Sequence, residues 1–171
     1  FARALHKKVP LSGGLRDFHV PPRSGLIKGA KTVNFLRQYL GNKTFADLRL
    51  PFYVVAADLA SGEEVVFSEG PLVEAIRASI SVIGVFSPAR IGDRYLIDGG
   101  AVNPVPTSVL AERGADILLA SSVIPSLEDR LQRKELKRGG KLPNVVGVLM
   151  STMEVMESEI IRTRMNPANI V

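Results

Sequence analysis

The chain contains no cysteine and no tryptophan, only two histidines, and 6% aromatic residues. Without cysteine there is no disulfide, no thiolate nucleophile and no cysteine–zinc site. The two histidines, His6 and His19, are too few and too poorly spaced for a metal centre and read as ordinary surface or loop residues. No metal and no cofactor are expected. No apolar run approaches the length of a membrane-spanning helix. The net charge of +5 is compatible with an anionic partner, either nucleic acid or a phospholipid surface. The basic residues do not follow one helix face, and no aromatics interleave with them as a single-strand binding platform needs, so nucleic acid is not expected. Zero cysteine suits a reducing cytosol without requiring it, which leaves a cytoplasmic or peripheral-membrane location as the expectation.

What is present is an aliphatic chain: 46% of the 171 residues are hydrophobic, enough for one domain, residues 1–171, with a sizeable α/β core. Phe1 and Leu5 already lie one helical turn apart, and Ala168-Asn169-Ile170-Val171 reads like the first residues of a strand. A piece of a longer polypeptide is the expectation.

Residues 9–29, with four glycines and three prolines, are expected to be mostly irregular. Residues 31–40 have helical spacing, with Val33, Leu36 and Leu40 on one face and Gly41 as the stop. Thr44 followed by Asp47 resembles a capping box. Residues 52–57 form a buried strand, and residues 64–67 the next, antiparallel to it across a turn at 58–62. Gly70-Pro71 opens a helix to about residue 81, with Pro71 at its first position. Leu72, Val73, Ile76 and Ile80 form its buried face, and Glu74 pairs with Arg77 on the other. A helix follows near 106–113, then an apolar strand at 117–123. Strand, turn, helix and strand in that order predict a parallel crossover unit. Residues 126–143 form a basic excursion, a solvated loop with a membrane-facing patch at Leu127 and Leu131 as the weaker alternative. Asn144 caps a last helix in which Val145, Leu149, Met153, Met156 and Ile160 share a face, the methionines serving as core filler.

The most informative run is Arg94-Tyr95-Leu96-Ile97-Asp98-Gly99-Gly100, continuing to Asn103-Pro104-Val105-Pro106. A short apolar strand stops at a carboxylate on a glycine turn, which is where open α/β sheets place reacting groups. Paired glycines turn the backbone and leave substrate room beside Asp98. On the dipeptide alone, an Asp-Gly hairpin turn is the commoner reading.

Three blocks in order shift that balance, because together they resemble the later part of a bacterial patatin-like phospholipase domain. The first is Ser24-Gly25-Leu26-Ile27-Lys28-Gly29 with the helix ending at Gly41 and Thr44-Phe45-Ala46-Asp47-Leu48. The second is Leu50-Pro51-Phe52-Tyr53-Val54-Val55-Ala56-Ala57-Asp58-Leu59 with its Ser61-Gly62-Glu63 turn. The third runs from Ala75-Ile76-Arg77-Ala78-Ser79 through Asp98-Gly99-Gly100 to Asn103-Pro104-Val105-Pro106 and Gly114-Ala115-Asp116. The resemblance implies a three-layer α/β/α fold with a mostly parallel central sheet, incomplete in this chain. It also implies a lipid acyl hydrolase, a phospholipase or esterase working with a Ser-Asp dyad. The family aspartate that opens the Asp-Gly-Gly motif maps onto Asp98, with Gly99 and Gly100 shaping its turn. Its implied role is to take the serine hydroxyl proton directly, and burial would have to raise its basicity.

The chain departs from the family in two places. No Gly-x-Ser-x-Gly elbow occurs: Ser12-Gly13-Gly14 lacks a preceding strand, and Ser79 and Ser81 end an amphipathic helix. The nucleophile is therefore expected in an upstream segment, and the fragment alone is expected to be inactive. Ile83 stands where family members usually carry proline. The implied partner is a lipid or acyl-ester substrate, with peripheral contact to an anionic membrane compatible with the charge; the oligomeric state is open. The alternative is a non-catalytic binding or regulatory module of the same fold that lacks the nucleophile.

Overall fold

The computed structural model describes residues 27–124 and 144–164. The expectations for residues 1–26, for the basic excursion at 126–143 and for the stretch after 164 lie outside the described residues. Helix α1 is Ala30–Leu40, entered through Gly29 at φ +85° and closed at Gly41. A 3-10 turn, Phe45–Asp47, follows. At its start the Asp47 carboxylate accepts from the Thr44 amide at 2.7 Å and from its hydroxyl at 2.9 Å. These bonds hold the Asp47 carboxyl below its ordinary range.

Strand β1, Val54–Asp58, is buried along its whole length and pairs antiparallel with β2, Glu64–Phe67. The turn between them is built on Asp58, whose Oδ1 accepts from the amides of Ala60 at 2.8 Å and Ser61 at 3.1 Å. Helix α2 is Leu72–Ser79. Strands β3, Ala89–Ile91, and β4, Arg94–Asp98, form a hairpin around Gly92 and Asp93, with Gly92 at φ +62° as such a tight turn needs. A second 3-10 turn, Gly99–Ala101, leads to α3, Thr107–Ala111. Helix α4 is Val145–Arg164; Asn144 caps it, its Oδ1 accepting from the Gly147 amide at 2.8 Å.

The sheet order is β2-β1-β4-β3, and every pairing is antiparallel. The α/β class holds, but the mostly parallel sheet is corrected. A five-residue turn joins β1 to β2 and a two-residue turn joins β3 to β4, and connections this short return a strand antiparallel. The parallel crossover is corrected with it. Residues 117–123 form no strand; Ile117, Leu119 and Val123 are 81%, 89% and 95% exposed. An apolar run becomes a strand only beside a partner edge, and none of the described strands lies next to this one.

One face of the sheet is covered by α2. Phe45, Val54, Leu72 and Ala75 form one buried cluster, and Ala56, Ala78, Ala89 and Leu96 form the other. Alanines at 56, 75 and 78 let helix and sheet approach closely, while Leu72 and Leu96, both fully buried, contribute roughly 1.5–3 kcal/mol each. Pro71 stands just outside α2 at its N-cap rather than at its first helical position.

Arg77 overturns its surface assignment. It is buried, and its Nη2 donates to the carbonyls of Lys28 at 3.0 Å and Ser87 at 2.9 Å. Its Nη1 donates to Ser81 Oγ at 2.5 Å, and the Phe86 ring lies 5.3 Å from its guanidinium carbon. The guanidinium occupies the space where a side chain at Gly29 would stand. Arg77 thus ties α2 to the entry of α1 and to the loop before β3, where Ile27 pairs with Phe86 in a parallel bridge.

Candidate active site

The register sets Asp98 directly opposite Ala56, and residues paired in this way share a face of the sheet. Asp98 is therefore carried on the α2 side, at the last position of β4. Its amide donates to the Ser81 carbonyl at 3.1 Å, which anchors the strand end to the segment after α2. Its Oδ1 accepts from the Gly100 amide at 2.7 Å. This bond closes the 3-10 turn and fixes the side chain's orientation.

The two glycines have a reason that the sequence alone did not reveal. Neither has positive φ, so turn conformation does not demand glycine. Gly99 lies against the β1 backbone, and a Cβ there would come within 2.7 Å of the Val55 carbonyl carbon. At Gly100 a Cβ would lie 2.9 Å from Glu157 Oε1 of α4 and 3.1 Å from Asp98 Oδ1. The motif allows two close approaches, one of backbone and one of carboxylates.

Asp98 borders a cavity of about 450 Å³ lined mainly by apolar groups, among them Phe52, Tyr53, Val54, Ile76, Ile80, Pro104 and Pro106. Burial there pushes the Asp98 carboxyl above its ordinary range, opposed only in part by the Gly100 hydrogen bond. An aspartate in this setting holds a proton more tightly than one in water, the direction that base chemistry requires. Asn103 is buried, and its Nδ2 donates to Glu64 Oε2 at 2.7 Å and Ser108 Oγ at 3.1 Å. It fastens the loop after Asp98 to β2 and α3, and so shapes the cavity wall.

The serines that the sequence set aside are placed as follows. Ser79 lines the same cavity from the last turn of α2. Ser81 is fully buried, its hydroxyl donating to the Arg77 carbonyl at 2.9 Å. Neither sits on a strand-to-helix elbow. Asp58 is a turn residue: bonds from Ala60 and Ser61 hold its carboxyl below its ordinary range, and Arg94 lies 3.7 Å away. Among the described residues, no group of three His, Asp or Glu side chains is arranged to hold a metal ion. None of the described helices is long and apolar enough to cross a membrane.

Sequence reading missed Glu157. The expected inward stripe of α4 is corrected, since Val145, Leu149 and Met156 are exposed. The half-buried positions instead include Val146, Met150, Met153, Glu157 and Ile161. A carboxylate at helical spacing from Val146, Met150 and Met153 was the available signal.

Residues 3–111 match the sequence profile described as Patatin-like phospholipase. An NTE family protein of Mycobacterium tuberculosis is 37% identical over 100 residues, covering 58% of this chain and 28% of the relative. A second NTE family protein of that organism is 30% identical over 127 residues, covering 72% and 22%. A patatin-like phospholipase domain-containing protein of Caenorhabditis elegans is 29% identical over 102 residues, covering 58% and 8%. The chain thus spans less than a third of the length of these relatives. With more than half its residues inside the profile and an Asp-Gly-Gly turn at the end of a half-buried strand, the chain belongs to the patatin-like phospholipase family.

Proposed function

We propose that Asp98 is the general base of a serine acyl hydrolase acting on lipid acyl esters, its serine supplied by polypeptide outside these 171 residues. The observation that carries this reading is a carboxylate oriented by its own turn in the wall of a largely apolar cavity. Gly100 occupies Oδ1, which leaves Oδ2 to accept the serine hydroxyl proton. The serine oxygen then bonds to the ester carbonyl carbon, the bond to the leaving oxygen breaks, and the proton passes from Asp98 to the departing alcohol. In the second half, Asp98 takes a proton from water as its oxygen bonds to the acyl carbon, the bond to the serine oxygen breaks, Asp98 returns the proton to that oxygen, and the fatty acid is released. Apolar walls around Ile76, Ile80 and Phe52 suit an acyl chain, and water exclusion there maintains the basicity of Asp98.

The test is Asp98→Asn in the full-length protein, assayed with a p-nitrophenyl acyl ester. Hydrolysis is expected to fall by about 10²–10⁴-fold with the circular dichroism spectrum unchanged. Wild-type turnover by a folded Asp98→Asn variant would overturn the proposal and favour a binding module of the same fold.

A further inference from the structure

Helix α4 brings a second carboxylate to the Asp-Gly-Gly turn. Glu157 Oε1 and Asp98 Oδ1 each lie about 3 Å from the position a Gly100 Cβ would take. At most about 6 Å therefore separates the two oxygens, within the range over which like charges alter each other's titration. The absent side chain of Gly100 is the gap across which they face. We propose that Glu157 is a positioning residue for the base, its carboxylate held across that gap so that Asp98 and Glu157 take up and release protons as a pair. This inference rests on Asp98 being the base.

Packing gives no reason for an acid at this position. The half-buried face of α4 carries Val146, Met150, Met153 and Ile161 alongside Ser151, Glu154 and Ser158, and a methionine would fit beside the apolar ones. Placing a carboxylate half-buried beside another costs stability, and such costs concentrate at functional sites. The charged groups facing Glu157 are Asp98, from the turn after β4, and Glu154, one turn earlier on α4. Burial, then Asp98, then Glu154 all push the Glu157 carboxyl above its ordinary range. The repulsion between two charges is mutual, so an ionised Glu157 also raises the proton affinity of Asp98. Burial moves Asp98 in that same direction.

The pH dependence of kcat/KM in the full-length protein tests this. Glu157→Gln removes the neighbouring charge, so Asp98 loses its proton at lower pH. The acidic limb of the profile is expected to move down by about one pH unit. On the plateau, kcat is expected to fall about two- to tenfold, because the base is weaker. Glu157→Asp, which keeps the charge, should return the limb toward its wild-type position. A purely structural role would lower activity by the same factor at every pH and leave the limb in place, and that result overturns the inference. If Glu157→Gln does not fold, Glu157→Met reads the same limb. Asp98→Asn is assayed in parallel: if it remains active, the base assignment fails. If it is inactive and the limb of Glu157→Gln is unmoved, only the pairing fails.

Discussion

At the level of single residues, the two glycines after Asp98 serve separate purposes and should respond differently to substitution. Gly99→Ala drives a methyl group into the Val55 carbonyl of the central strand, which cannot yield. A loss of about 1–3 kcal/mol is expected in urea unfolding. Gly100→Ala meets the end of a flexible glutamate, which can swing aside, and should cost less than about 1 kcal/mol. Asp98 itself should trade stability for chemistry. Its folded-state carboxyl is raised above its unfolded value, so its unfavourable contribution is absent below the unfolded pKa and complete above the folded one. Asp98→Asn is therefore expected to melt roughly a few degrees higher at pH 8, with the gain shrinking toward about pH 4. A melting temperature lowered at pH 8 would contradict the buried-carboxylate description.

Among the elements, Arg77 is the joint between α1, α2 and the loop before β3. Arg77→Met leaves the Lys28 and Ser87 carbonyls without its donors, and a loss of at least about 3 kcal/mol is expected in chemical denaturation. Arg77→Lys should recover little, because one ammonium cannot span three acceptors that lie in different directions. The sequence pointed to the wrong place for this residue, since Glu74 three positions earlier offered an ordinary surface pairing. The strands β1, β2 and β4 were legible because each is an apolar run with turn residues at its ends. β3 was not: it is three residues long and half-exposed, and only Gly92-Asp93 between Ile91 and Arg94 marked it. α4 was legible as a helix but not in its rotation, because Val145, Val146, Val148, Leu149 and Met150 place apolar groups on several sides. Asp98 was legible from its motif, whereas the carboxylate facing it comes from a helix more than fifty residues later, which no local pattern reveals.

For the whole molecule, the stability of the described fold is concentrated around β1 and α2. The run from Ile117 to Val123 carries little of it, being apolar yet exposed. Replacing Ile117, Leu119 and Val123 together with serine is expected to change the unfolding free energy of the chain by no more than about 0.5 kcal/mol per site. A larger loss, seen as an earlier urea midpoint, would place those side chains in a packed interface. Under the proposed function, the four-stranded register has a further consequence for how a substrate would be admitted. β1 is zipped on both sides, and Asp98 is stitched to its neighbour through the ladder and to Ser81 beyond it. The carboxylate therefore cannot travel to meet an incoming ester without breaking the sheet. Any adaptation to acyl chains of different girth would then come from the opposite rim, where Phe52 is half-exposed and the Pro104 to Pro106 loop carries no ladder. In deuterium exchange, the amide of Asp98 should be among the last to label while that rim labels early.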